Sequence, residues 1–163
     1  PNLIKNPNAT VTSIDEFNAL DSSVTAIVFD NGVGEVDFTE LDLTRFSQLR
    51  SLVVGDHSFS YVETVNITGL SELESIEIGK NSFTKYKNRE GYDPERQFFL
   101  KDCPKLKSLK VSQFSFSDYA VIEIENVDAL EVIEMGELIE SEEFSNNFYY
   151  ASLELNSAYR AYE

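Results

Sequence analysis

Several residues in this sequence have the types that catalysis requires. His57 is the only histidine, and it lies within Gly55-Asp56-His57-Ser58-Phe59. A Ser-His-Asp arrangement would transfer acyl groups, the imidazole taking the hydroxyl proton. No Gly-x-Ser-x-Gly elbow accompanies it, so His57 is expected to be an exposed turn residue. Glu123 and Glu125 are two residues apart, which on a strand places both carboxylates on one face. Such a pair could cleave a glycosidic bond, but the acidic positions around it lack the aromatic residues on which sugars stack. Gly32-x-Gly34 lacks the remainder of a dinucleotide fingerprint and reads as a turn. The run Glu137 to Glu143 is acidic enough to attract calcium, but it has no Asp-x-Asp-x-Gly loop grammar. Cys103 stands alone, which excludes an internal disulfide framework and a Cys-based zinc site. No catalytic residue, metal or cofactor is therefore expected.

Residues suited to recognition are better represented. Lys85, Tyr86, Lys87, Arg89 and Tyr92 form the most basic stretch of an otherwise acidic chain. Tyr and Arg dominate protein-binding hot spots, so these five are the first candidates for partner contact. Asn8-Ala9-Thr10 and Asn66-Ile67-Thr68 have the form of glycosylation acceptors at Asn8 and Asn66.

The elements that carry these residues follow from internal repetition. Leu49-Arg50-Ser51-Leu52-Val53-Val54-Gly55 is matched by Leu73-Glu74-Ser75-Ile76-Glu77-Ile78-Gly79, and Ser58-Phe59 by Ser82-Phe83. Further copies begin at Leu106 and Leu130, and a less regular one occupies Val24, Ile27 and Phe29. A fixed period of this length signals a stacked repeat architecture. Each copy is preceded by an apolar-x-apolar-x-x-apolar set (Leu41, Leu43, Phe46; Val65, Ile67, Leu70; Phe98, Leu100, Cys103; Ile122, Ile124, Val127). Both patterns alternate as strands do, giving two short strands per repeat.

Phe59, Phe83 and Phe116 should then form an inward ladder at a corner, and Cys103 should be a buried apolar residue rather than a reactive thiol. Outward, Val53, Glu77, Lys110 and Glu134 should form one column with Lys110 between two carboxylates. Register support between strands explains such a column; a ligand surface is the other reading. Glu40, Asp42, Glu123, Glu125 and Glu154 should make the opposite face acidic.

Two insertions interrupt the rhythm, one within Thr84 to Arg96 and one from Glu137 to Asn147. Insertions in repeat proteins become loops on one face. Residues 1–10 read as an arm, and Ser13 with Glu16 as the capping box of a short helix over the open end of the stack. Phe148, Tyr149, Tyr150, Leu153 and Leu155 read as the last strand. The absence of an initiator Met and of an evident closing cap suggests a processed or excised piece whose natural chain continues, or a tail 156–163 folded over the end.

The pattern Phe98-x-Leu100-x-x-Cys103 followed by Leu106-x-x-Leu109-x-Val111 and Ser115-Phe116 resembles leucine-rich repeats, in particular the BspA-like variety of bacteria and protists. The resemblance covers residues 24–155. It implies a mainly β, right-handed leucine-rich-repeat-like solenoid of about five coils with two short parallel strands per coil and a short N-terminal capping helix. The divisions are then 1–23 for arm and helix, 24–155 for the solenoid and 156–163 for the tail. Departures include Gly where many such repeats carry Pro, and Leu70 and Val127 at the position of Cys103. The resemblance also implies a cell-surface or secreted setting and host-interaction roles, with no catalytic residues to transfer.

Composition agrees with that class. Lys+Arg 13 against Asp+Glu 29 gives a net charge of −16 and a pI near 4.3. Such a field disfavours nucleic acid and anionic lipid as partners. The expected activity is recognition of another protein, with self-association through open ends as an accessory. A carbohydrate-binding or carbohydrate-cleaving β-solenoid and a structural spacer are the alternatives.

Overall fold

The computed structural model describes residues 7–85, 93–136, 147–148, 151 and 154–157. Its elements are β1 (Asn8–Val11), α1 (Ile14–Asn18), β2 (Ala26–Phe29), β3 (Glu40–Asp42), β4 (Ser51–Val54), β5 (Thr64–Thr68), β6 (Ser75–Ile78), β7 (Asp93–Lys101), β8 (Ser108–Val111), β9 (Tyr119–Glu125), β10 (Val132–Met135) and β11 (Glu154–Asn156). The strands make two parallel sheets, ordered β1-β2-β4-β6-β8-β10 and β3-β5-β7-β9-β11. From β2 onward the chain visits the sheets alternately, so each sheet is laid down in chain order.

Register follows the sequence repeat. Leu52 pairs with Ile27 on one side and Ile76 on the other, and Leu109 pairs with Ile76 and Ile133. Leu52 and Val54 of β4, Ile76 and Ile78 of β6 and Leu109 and Val111 of β8 are buried, and the residues between them face out. Side chains from both sheets meet in one core, in which Leu49, Leu73 and Leu106 are fully buried. Burying a residue of this size contributes about 1.5–3 kcal/mol. Cys103 lies in the same core, as its apolar neighbours in the repeat require.

The corner between the sheets is built from three kinds of residue. Phe59, Phe83 and Phe116 stack in a ladder, with ring centroids 5.2 Å apart between the first two and 4.6 Å between the last two. All three have positive φ, between 53° and 59°. The left-handed region costs an L-residue about 1–2 kcal/mol, which burial of a phenyl ring offsets. Beside each Phe, a buried Ser ties one layer to the layer before it. Ser82 Oγ donates to Gly55 O at 2.7 Å and accepts from Ser58 N at 3.1 Å. Ser115 Oγ donates to Gly79 O and accepts from Ser82 N. Glycine is needed where layers touch most closely: a Cβ at Gly79 would stand 2.6 Å from the carbonyl carbon of Gly55.

Three expectations are corrected. Residues 8–11 are not an arm but β1, which pairs in parallel with β2 through Asn8↔Ala26 to Val11↔Phe29; Val11 is buried and supplies the reason. Phe148 is not in the last strand. It stacks on Phe116 at 4.9 Å and has φ 51°, so it is the next rung of the corner ladder. Asn147 stands where the earlier rungs have Ser, its Nδ2 donating to Ser112 O at 2.7 Å. The last strand is β11, with Leu155 paired to Ile124; Tyr149, Tyr150 and Leu153 lie outside the described residues. In α1, Ser13 Oγ accepts from Glu16 N as expected, but the Glu16 carboxylate bonds Thr12 N and Thr12 Oγ1. These bonds hold its pKa below the ordinary carboxylate range.

α1 covers the first layer of the core. Phe17 is buried against Phe29 and Phe46. Arg45 completes the cap: its guanidinium lies 4.3 Å from the Phe46 centroid and donates to Phe17 O and Leu20 O, carbonyls at and just past the helix end. A cation at this helix terminus also suits the backbone dipole.

Candidate functional site

The outward side of the six-stranded sheet carries the expected column. Val53 pairs with Glu77, Glu77 with Lys110 and Lys110 with Glu134. Glu77, Lys110 and Glu134 are all exposed. Lys110 Nζ stands 3.6 Å from Glu134 Oε2, and among the described residues no ion pair joins it to Glu77. An exposed pair of this kind contributes about 0–1 kcal/mol. Strand pairing holds these charges about 4.8 Å apart and in fixed order.

The opposite sheet carries a different arrangement. Lys101 Nζ lies 2.5 Å from Glu123 Oε2 and 3.7 Å from Glu125 Oε2. The hydrogen bond to Glu123 raises the Lys101 pKa, against a smaller desolvation cost. The two carboxylates therefore share a cation on one face instead of standing as a free acid and base. Glu40 and Asp42 are exposed on β3, and Asp42 accepts from Thr44 N and Thr44 Oγ1. Nothing is described of the Glu154 side chain.

Of the five candidates in the basic insertion, only Lys85 is described; Tyr86, Lys87, Arg89 and Tyr92 lie outside the described residues, as does the acidic run Glu137 to Glu143. Lys85 is exposed and its Nζ sits 5.8 Å from the ring centroid of Tyr61, itself exposed. Tyr61 was not singled out from sequence, although it is one repeat length before Lys85. Lys85 N donates to Asp118 Oδ2, which anchors the start of the insertion.

Arg96, at the far end of the insertion, is buried, with 3% exposure. Its Nη2 donates to Ser60 O at 2.8 Å, and it forms ion pairs with Asp93 at 3.4 Å and with fully buried Asp118 at 3.6 Å. Tyr119, 5.7 Å from the guanidinium, is buried, and its hydroxyl donates to Val62 O. Burial pushes the Tyr119 pKa well up. This cluster supports the far end of the insertion, where the pairing of β7 with β9 shifts register between Asp93 and Gln97. A period of alternating residues on β7 would have placed Arg96 inward with Phe98 and Leu100.

The remaining candidates fall where their neighbours dictate. His57 is exposed at a corner with φ 55°, while Ser58 beside it is buried and donates to Asp30 O. Cys103 Sγ lies 3.3 Å from Lys101 O, and burial pushes its pKa up. Asn66 is half-buried on the outward side of β5 and accepts from Thr68 Oγ1, the hydroxyl of its own sequon. Asn8 is exposed on β1. Among the described residues, no three His, Cys, Asp or Glu side chains gather to hold a metal ion, and no helix is long and apolar enough to cross a membrane. Comparison with family models, with curated proteins and with solved structures returns no match to this chain.

Proposed function

We propose that the chain is a leucine-rich-repeat-like solenoid of about five right-handed coils that recognises another protein and catalyses nothing. Right-handed connection is the general rule between parallel strands, and alternate visits to two parallel sheets are what a coil with a strand on each side produces. The observation that supports the recognition reading is the column Glu77, Lys110 and Glu134: exposed charges in strict register on a sheet whose inward residues on β6 and β8 are buried in the core. A preformed face loses little conformational freedom on docking. Lys85 over Tyr61 adds a cation and an aromatic ring, and Tyr86, Lys87, Arg89 and Tyr92 extend the surface by residue type.

The glycosidase alternative is weakened by Lys101, which ties Glu123 and Glu125 together. The spacer alternative predicts that surface substitutions change nothing but stability. The test is capture of partner proteins on the immobilised chain, compared with the Glu77→Lys, Lys110→Glu double variant and with an Arg89→Ala, Tyr92→Ala variant. Loss of a captured protein with either variant is expected. Sugar turnover in a hydrolysis assay, or undiminished capture by both variants, would overturn the reading.

A further inference from the structure

Asn31-Gly32 is the one Asn-Gly pair in the chain, and the recognition reading gives it no part. It lies in the turn after β2, where both residues are exposed and Gly32 has φ 72°. A Cβ at Gly32 would meet nothing within 4 Å, so that side of the residue is open to solvent.

An asparagine followed by a glycine has a reaction of its own. The glycine main-chain nitrogen, once its proton is lost to base, attacks the side-chain carbon of the asparagine. A new C–N bond closes a succinimide ring, the old C–N bond breaks, and the amide nitrogen takes a proton from water and leaves as ammonia. Water then opens the ring at either carbonyl, giving aspartate or isoaspartate. Glycine hinders the ring closure least, because it has no side chain and its backbone turns freely.

Here both reacting groups are held by one residue of the next layer. Gly32 N donates to Asp56 O at 2.9 Å. Asn31 Oδ1 accepts from Asp56 N at 2.7 Å. Ser58 brackets the pair, its Oγ donating to Asp30 O at 2.9 Å and accepting from Val33 N at 3.2 Å. The attacking N–H is thus committed to a carbonyl, and the side chain it must attack is pinned to a different main-chain group. Both must be released together. That requires the seam between the β2 and β4 layers to open at the corner, a local event that costs less than global unfolding.

We infer that Asn31 is a deamidation site, exposed yet held unreactive by the main chain of Asp56, which converts when this seam opens. The two products differ in consequence. Aspartate at this position keeps an oxygen for Asp56 N, and the next layer shows that a carboxylate serves: Asp56 Oδ1 accepts from Lys80 N at 2.7 Å. Isoaspartate lengthens the main chain by one carbon and carries the Gly32 N–H away from Asp56 O. The seam then cannot reclose in register. Either product adds one negative charge to a chain whose net charge is −16.

The test compares the full chain in its native state and unfolded in guanidinium chloride at the same pH. Mass spectrometry of the peptide containing Asn31 follows deamidation, and enzymatic methylation counts isoaspartate. The unfolded chain should react at Asn31 at least about 10-fold faster than the native one. Hydrogen exchange at the native Gly32 N–H should be slowed by a similar factor, since the same opening frees it. In Gly55→Ala the new Cβ would stand 2.6 Å from Asn31 Oδ1 and 2.7 Å from Asn31 N, so Asn31 must leave its place. That variant should deamidate about 10-fold faster than the parent when native and at the parent's rate when unfolded. Asn31→Asp should melt close to the parent, and the refolded isoaspartate form about 5 °C lower.

Equal rates in the native and unfolded parent would overturn the inference, as would an unfolded chain that does not react at Asn31. So would a folded Gly55→Ala that reacts no faster than the parent. Where circular dichroism shows that this variant does not fold, exchange decides: a Gly32 amide that exchanges slowly while native Asn31 deamidates rapidly refutes the clamp. Equal melting of the aspartate and isoaspartate forms refutes the difference assigned to the products.

Discussion

Replacing Ser82 by alanine tests how the layers are joined. Ser82 is fully buried, and its hydroxyl lies between two main-chain groups of the preceding layer. It donates to Gly55 O at 2.7 Å and accepts from Ser58 N at 3.1 Å. Alanine leaves both groups in place and removes the partner of each. A buried polar group left without its hydrogen bond costs about 1–3 kcal/mol. The two groups flank one site, so their losses overlap and about 2–4 kcal/mol is expected for the pair. For a chain of this size that lowers the Tm by about 5–15 °C. Thermal and urea unfolding followed by far-ultraviolet circular dichroism measure it. Ser75→Ala is the control, since Ser75 is half-buried on the outward side of β6 and its truncation should cost about 0.5 kcal/mol or less. If Ser82→Ala and Ser75→Ala unfold within about 0.5 kcal/mol of each other, the serine ladder does not hold the layers together and the corner must be explained by phenylalanine stacking alone.

The buried cluster and the core thiol give further tests. Arg96→Met removes the cation paired with fully buried Asp118 and should cost about 3–5 kcal/mol in urea unfolding. Adding Asp118→Asn should recover part of that loss; a single variant as stable as the parent would refute the ion-pair account. Cys103 should resist iodoacetamide and Ellman's reagent in the native chain and react on unfolding. Because burial raises its pKa, the folded chain keeps the proton that the unfolded chain releases first. Its contribution to stability is therefore whole at neutral pH and declines as the pH rises past the ordinary thiol value. Rapid native labelling would place the sulfur at the surface instead.

The rows that face the core were readable because burial forces a chemical type at a fixed interval. Leu52, Ile76, Leu109 and Ile133 recur with the residues around them, and the recurrence alone assigns register. Cys103 was legible for the same reason, since its repeat neighbours leave it no polar environment. The corner was legible only in part. Phe59, Phe83 and Phe116 each follow a Ser, but the last rung follows Asn147, and an eight-residue displacement hid it. Asn serves there because its amide reaches the carbonyl that a serine hydroxyl would bond. Arg96 carries no repeat signature that sets its direction, and only the path of β7 shows that its guanidinium turns inward to Asp118. Asn8 to Val11 carry no repeat signature, so their strand depends on an edge of β2 that local sequence does not reveal.

Connection lengths show where this architecture admits change. Three passages from the five-stranded sheet back to the six-stranded one, Gly69–Glu74, Asp102–Lys107 and Asn126–Glu131, hold six residues each, and the first, Leu43–Arg50, holds eight. Each is closed by the same turn, with Leu73 N, Leu106 N and Leu130 N donating to the carbonyls of Leu70, Cys103 and Val127. Both ends of that turn lie in the core or pack against it, so an added residue would displace a packed side chain. Passages in the other direction differ in length, and both insertions fall there, one between β6 and β7 and one between β10 and β11. They flank the corner without interrupting it, because Ser82-Phe83 precedes the first insertion and Asn147-Phe148 follows the second. A Ser or Asn bonded to the layer before it and a ring stacked on its neighbour fix the corner whatever chain is inserted beside them. Sequence can therefore vary on this flank at little cost to the stack, and the proposed contacts at Lys85, Tyr86, Lys87, Arg89 and Tyr92 lie where selection for a partner would conflict least with selection for folding.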